Sequence, residues 1–330
     1  MNVIETRSLV KKFNGFTAVA GIDLSVAKGE IFGLLGPNGA GKTTFLSMLC
    51  TILSPSEGQA FVNGFDVTKQ EGRVRKSIGI VFQDPSIDDL LTGRENLQLH
   101  ARLYGLSDES AAERIELVLQ LVDLKEFADK RMRTYSGGMR RRLEIARGLL
   151  HDPEILFLDE PTIGLDPQTR EHIWSYIKKL NEMEKVTIVL TTHYMEEADL
   201  LCNRIAIVDK GKIVALNTPA NLKKQLEGDM VSLRVEGKKI GALVKKLSGM
   251  KIVQKAVLSE GVIKATVGNG EAALPQLLKA AYAGKFKVLG VDVHKPTLND
   301  VFLHYTGREI RDTQAEGSFW KTAMRRGVDR

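Results

Sequence analysis

Nine consecutive residues, Gly36-Pro37-Asn38-Gly39-Ala40-Gly41-Lys42-Thr43-Thr44, constrain this chain more than any other stretch. The apolar run Ile31-Phe32-Gly33-Leu34-Leu35 before them reads as a strand buried in a parallel sheet. Apolar residues at helical spacing follow from Thr44 to Leu53. Strand, glycine-rich turn and helix, in that order, are the context in which such a loop holds phosphate. Its glycines let successive N–H groups point at one anion, and the new helix adds the partial positive charge of its N-terminus. Lys42 is expected to reach the outer phosphates, and the Thr43 hydroxyl to hold a magnesium ion.

A chain of 330 residues has room for two domains, and 43% hydrophobic with 27% charged residues is enough to build a core. Two cysteines, Cys50 and Cys202, make neither a disulfide framework nor a metal pair, which suits a reducing compartment. The first residues lack the basic-then-apolar order of a signal peptide, and no apolar run reaches 18 residues, so neither secretion nor a membrane span is expected. The net charge of +6 is uneven. Residues 1–219 hold 27 Lys and Arg against 30 Asp and Glu, whereas residues 220–307 hold 14 against 7. The basic excess therefore sits away from the phosphate loop. It suits nucleic acid or an anionic membrane surface, and equally a solvated lysine-rich face.

Taken in order, the chain opens with an alternating segment, Asn14-Gly15 as a hairpin turn, and a second strand from about Thr17 to Val26. Phe13 and Phe16 flank that turn. From local sequence they serve equally well to stack on an adenine ring or to pack inward. A second hairpin is expected at Asn63-Gly64, then a buried strand Ser77–Phe82 ending on Gln83 and the polar turn Asp84-Pro85-Ser86. From about Thr92 to Leu150 the spacing becomes helical: Arg94–Leu103, Asp108–Val122 and Gly137–Leu150. Ser136 with Gly137 and Gly138 opens the last of these, which a plain helix N-cap would explain. Ile155-Leu156-Phe157-Leu158-Asp159-Glu160 is a buried strand ending in two acids, at the strand end where ligands sit in open α/β sheets. Asp159 is expected to hold magnesium, and Glu160 to orient or deprotonate the attacking water. A further strand, Val186–Leu190, runs out through Thr191-Thr192-His193, placing His193 level with Gln83 and Asp159.

The ordered set Gly36–Thr44, Gln83, Tyr135–Met139, Ile155–Glu160, Asp166 and His193 resembles the nucleotide-binding subunit of an ABC transporter over about residues 1–219. The resemblance implies an α/β P-loop NTPase fold with an antiparallel β subdomain and a helical subdomain at about residues 84–152. It implies ATP and Mg2+ as cofactors, with Phe13 stacking on adenine and Gly36, Pro37, Asn38, Gly39, Ala40, Gly41, Lys42, Thr43 and Thr44 cradling the phosphates. Gln83 would touch magnesium and the attacking water, so that Thr43, Gln83 and Asp159 form the metal set. Lys42, Gln83, Glu160 and His193 would serve catalysis, and Asp166 would be the D-loop aspartate. Ser136, Gly137 and Gly138 match the signature motif, which in this family binds the γ-phosphate held by a second subunit. Tyr135 and Met139 stand where leucine and glutamine are commoner, the D-loop reads Ile163-Gly164-Leu165-Asp166, and Phe13 replaces the more usual tyrosine.

Residues 220–307 alternate as strand-helix-strand-strand-helix-strand, a small ferredoxin-like α+β pattern, and end in Pro296-Thr297-Leu298-Asn299-Asp300-Val301-Phe302-Leu303. That ending resembles the daunorubicin-resistance type of exporter ATPase. The resemblance implies an ATP-sandwich dimer with a second copy, driving an integral membrane permease from the cytoplasmic face of the cell membrane. The basic module would assemble, regulate or contact anionic lipid, and residues 308–330 would be a mobile basic tail. The alternative is a soluble ATPase of the same fold acting on nucleic acid or ribosomes. One phosphate loop and a short Lys42–Ser136 interval argue against it.

Overall fold

The expected N-terminal hairpin forms as β1 (Asn2–Phe13) and β2 (Phe16–Ala27), joined through Asn14 and Gly15, both at positive φ. That left-handed pair is what a two-residue hairpin turn requires. The computed structural model describes residues 1–84, 86–237, 239–259 and 261–308. Pro85 of the expected polar turn and all but Arg308 of the expected tail thus lie outside the described residues. β1 pairs on its other side with β4 (Glu57–Val62), which turns into β5 (Phe65–Asp66), giving a four-stranded antiparallel sheet β2-β1-β4-β5.

The central sheet has the order β10-β9-β3-β8-β7-β6. Its strands are β3 (Ile31–Leu35), β6 (Ile78–Val81), β7 (Ile155–Asp159), β8 (Thr187–Thr192), β9 (Arg204–Asp209) and β10 (Lys212–Asn217). All neighbours run parallel except β10, which closes one edge antiparallel to β9. Every residue of β3 and β7 is buried, which is why both read as unbroken apolar runs. Their alternate side chains feed two cores. Phe32, Leu34 and Phe157 pack with the antiparallel sheet and with α1 (Lys42–Leu49). Ile31, Leu35, Leu156 and Leu158 join the core shared with the helical insertion.

That insertion comprises α3 (Gly93–Leu103), α4 (Asp108–Leu121) and α5 (Gly137–Leu149), all within a residue or two of the expected bounds. α3 is closed by a capping box between Thr92 and Glu95, and α4 by the Ser107 hydroxyl. Three short helices escaped the sequence reading: α2 (Glu71–Ser77), α7 (Met195–Leu201) and α8 (Pro219–Lys224). Two turns or fewer display too little periodicity to be recognised. The long α6 (Pro167–Glu184) follows the acidic strand end.

The C-terminal module is ferredoxin-like as expected. It runs β11 (Asp229–Glu236), α9 (Ile240–Ser248), β12 (Val253–Ser259), β13 (Val262–Val267), α10 (Gly270–Ala283) and β14 (Lys287–His294), with sheet order β12-β13-β11-β14. It has its own core, from Val231, Leu233, Leu243, Ile263 and Leu277 among others. The chain then forms a last helix, α11 (Leu298–Thr306), capped by a Thr297–Asp300 box. Leu298, Val301 and Phe302 of α11 are buried not in the module's core but in the large core of the nucleotide-binding part, alongside Leu222 and Leu226. Among the described residues no helix is long and apolar enough to cross a membrane.

Candidate functional site

Four parallel strands deliver the site residues to one edge of the central sheet. Lys42 follows β3, Gln83 follows β6, Asp159 ends β7, and Thr191 and Thr192 end β8 with His193 next. In an open α/β sheet this carboxyl edge is the ligand-binding edge.

The loop after β3 requires glycine at two points. At Gly36 a Cβ would lie 2.3 Å from the Val208 carbonyl oxygen. At Gly41, which caps α1 at φ +101, it would lie 2.3 Å from the Ala18 carbonyl oxygen. The buried Lys42 ammonium donates to the Gly36 and Pro37 carbonyls at 2.7 and 3.2 Å and stands 3.3 Å from Glu160 Oε1. Burial pushes its proton affinity down, against the pull of Glu160 and Asp159. Thr43 donates its hydroxyl to Asp159 Oδ1 at 3.1 Å. Two oxygen donors so close, one anionic, suit a hard divalent cation that keeps phosphate oxygens as its other ligands. Thr43 and Asp159 are thus the residues that would hold magnesium.

Asp159 is 2% exposed, and burial raises its pKa, although hydrogen bonds from Thr191 and Thr43 oppose the shift. Glu160 lies outside β7, at φ +46, a left-handed conformation in which a glutamate is strained. Its N–H donates to Thr191 Oγ1 at 3.0 Å, while the Thr191 hydroxyl donates to Asp159, so one threonine orients both acids. Glu160 Oε2 is 3.1 Å from His193 Nδ1. Burial alone would raise the Glu160 pKa. The His193 hydrogen bond and the Lys42 charge outweigh it and hold the carboxyl below its ordinary value. Lys42, Asp159, Glu160 and His193 therefore lie together at the strand ends. Gln83 is exposed, two residues beyond the end of β6, and no bond among the described residues ties its side chain to that cluster.

The remaining expected residues form a separate surface. Ser136 caps α5 by accepting from the Met139 N–H at 3.2 Å, and Ser136 and Gly137 are exposed. Asp166 caps α6 through Thr169, whose methyl would lie 2.5 Å from a Cβ at Gly138. Ser136–Gly138 and Asp166 are thus neighbours on two abutting helix starts. The unusual Tyr135 is accommodated: its ring is buried and its hydroxyl donates to the Phe127 carbonyl at 2.7 Å. Met139 packs against the same core. At the first hairpin Phe13 pairs with Phe16, and the two rings are 37% and 60% exposed, which resolves the open choice against inward packing.

Sequence reasoning missed three polar residues at the site: Thr191, Arg141 and Glu197. Arg141 is buried against backbone carbonyls behind the two acids. Glu197, on α7, accepts from the Thr162 hydroxyl at 2.8 Å and the Trp174 indole N–H at 2.9 Å and is fully buried. Only the Thr-Thr-His strand end hinted at the first of them.

A family model described as ABC transporter matches residues 19–163, and one described as ATP-binding protein DrrA1-3-like, C-terminal domain, matches residues 218–306. A third, described as an AAA domain, overlaps at residues 130–199. The chain is 38% identical over 313 residues to the linearmycin resistance ATP-binding protein LnrL of Bacillus subtilis (strain 168), spanning 94% of this chain and 100% of that protein. It is also 38% identical to the daunorubicin/doxorubicin resistance ATP-binding protein DrrA of Streptomyces peucetius, over 95% of each. Among solved structures, a dimeric ATP-binding cassette in a post-hydrolysis state bound to ADP and Pi superposes with a TM-score of 0.59 at 28% identity, covering 65% of this chain and 98% of that one. The cbiO1 protein from Clostridium perfringens, at 24% identity, shares the fold with a TM-score of 0.64 over 75% of this chain and 94% of its own. With the converged loop and acids and the matching C-terminal module, these likenesses establish that the chain is a member of the ABC transporter family, an ATP-binding subunit that hydrolyses ATP.

Proposed function

We propose that this subunit powers export by a separate membrane permease, working as a pair of copies closed around ATP at the cytoplasmic face of the membrane. The observation that carries the chemical part is the convergence of Lys42, Asp159 and His193 on the strained Glu160. In this reading the loop from Gly36 to Thr44 binds the phosphates and Lys42 neutralises the outer ones. Thr43 and Asp159 would hold the magnesium, and Gln83 would have to swing in from its exposed position to join them. A bound magnesium supplies charge neutralisation at the transferring phosphoryl group. Glu160 takes up the proton of the attacking water, and its low proton affinity, held down by His193 and Lys42, keeps it ionised to do so. The exposed Phe13 stacks on adenine.

Ser136 and Gly137 face outward beside Asp166, with Gly138 packed behind them against Thr169, which supports the three acting on nucleotide held by a second copy rather than by their own loop. Export as the coupled task rests on the relatives, which include drug-resistance proteins and a Nod factor export protein from Cupriavidus metallidurans. No observation favours the nucleic-acid or ribosome alternative. The direct test is Glu160→Gln, which keeps shape and removes basicity. Turnover is expected to fall by roughly 10²–10⁴, with ATP binding retained and an ATP-bound dimer accumulating on size-exclusion chromatography. Turnover near wild type would remove Glu160 from this role.

A further inference from the structure

Arg141 lies on α5, five residues after the signature serine, and is 9% exposed. Among the described residues its guanidinium makes no bidentate pair with a carboxylate. It donates instead to three backbone carbonyls on two other segments: Nη1 to Phe82 at 2.6 Å, Nε to Pro161 at 2.7 Å and Nη2 to Asp159 at 3.0 Å. Each choice is informative. Phe82 is the residue before Gln83. Asp159 and Pro161 flank Glu160, so Arg141 grips the backbone on both sides of the one acid held at positive φ. From the opposite side the Glu160 N–H is bound by Thr191, and Thr162 is bound by Glu197. A planar fork with five N–H groups in fixed directions can serve three diverging carbonyls at once. The acidic side chains of Glu144 and Asp159 nearby offset the buried charge.

We propose that Arg141 is a positioning residue for ATP hydrolysis, whose guanidinium makes one rigid body of the signature helix, the Glu160 turn and the strand end leading into Gln83. The serine that would face the partner copy, the acid that acts on the water and the strand end carrying Gln83 then move together. A strained backbone conformation persists only where its surroundings fix it, and Arg141 supplies two of the bonds that do so. The proposal rests on the reading of Glu160 given above.

The test uses the full chain and its MgATP turnover in Arg141→Ala, Arg141→Lys, Glu160→Gln and the Glu160→Gln/Arg141→Ala double variant, with ADP affinity measured for each. Misplacing Glu160 should lower kcat by about tenfold or more while KM and ADP affinity stay within about threefold, because the loop is untouched. Arg141→Lys should recover little, since a single ammonium cannot span three carbonyls. In the Glu160→Gln background, loss of Arg141 should cost almost nothing further, as expected of two residues acting as one unit. Four results would overturn the proposal: kcat within twofold of wild type in Arg141→Ala, full recovery by lysine, additive losses in the double variant, or ADP binding lost together with turnover, which would make Arg141 a fold residue. Fast turnover in Glu160→Gln alone would sink the reading of Glu160 instead, so the two failures are separable.

Discussion

Glu160 shows how much of this site is held by groups that a motif does not name. A glutamate at φ +46 carries about 1–3 kcal/mol of backbone strain. Thr191 binds its N–H, and Arg141 binds the carbonyls on either side of it, so the backbone is tied at three points around that conformation. Lys42, Thr43, Asp159, Glu160 and His193 were legible in the sequence because each sits at a strand end or turn whose local pattern is recognisable. Arg141, Thr191 and Glu197 were not, because their partners lie 18 to 59 positions away and leave no local trace. Glu197 yields a pH prediction. Burial raises its carboxyl pKa, and the hydroxyls of Thr192 and Thr162 and the Trp174 indole only partly offset this. An acid whose folded pKa is raised contributes its stability below the unfolded value, about 4.3, and loses it as pH climbs through the folded value. Glu197→Gln does not titrate and keeps an oxygen for both donors. Its Tm relative to wild type is therefore expected to rise as pH climbs above the unfolded value. A difference that is flat with pH would mean that Glu197 is not held protonated.

At the scale of elements, the buried parallel strands, the insertion helices and the ferredoxin-like order were all readable, because each has either a continuous apolar run or several turns of periodicity. The short α2, α7 and α8 have neither, and α11 was passed over because its apolar residues follow a proline-containing ending of the module. The segment after Gln83 is tied to the signature helix by more than sequence proximity. Arg140 of α5 donates to Asp89 at 2.6 Å, and the Arg133 N–H donates to the Asp89 carbonyl. The ion pair is largely solvent-exposed, so Asp89→Ala should cost at most about 1 kcal/mol and leave the basal ATPase within about twofold. It should nevertheless loosen the loop from the helix, and transport-coupled stimulation by the permease is expected to fall. Loss of basal turnover in this variant would show that the loop shapes the nucleotide site rather than its output.

For the whole molecule, the feature with the largest consequence is α11. The C-terminal module has its own core, yet the chain returns to bury Leu298, Val301 and Phe302 among Leu222, Leu226 and the rest of the nucleotide-binding core. Phe302 is fully buried, so Phe302→Ala should destabilise by about 3–5 kcal/mol, and calorimetry should register the loss in the transition that ADP stabilises. A shift confined to a nucleotide-insensitive transition would place α11 with the module alone. The larger proposal is that each ATP site is completed by a second copy, since Lys42 is buried in the acid cluster whereas Ser136 is exposed beside Asp166, with no bond among the described residues tying it to that cluster. The most direct measurement mixes two inactive proteins, Lys42→Ala and Ser136→Arg, and follows MgATP turnover while heterodimer formation is monitored by differential tags. One chain brings an intact loop and the other an intact signature, so the mixture is expected to regain turnover at one site per heterodimer. Heterodimers that form and stay as inactive as either parent would contradict the composite site.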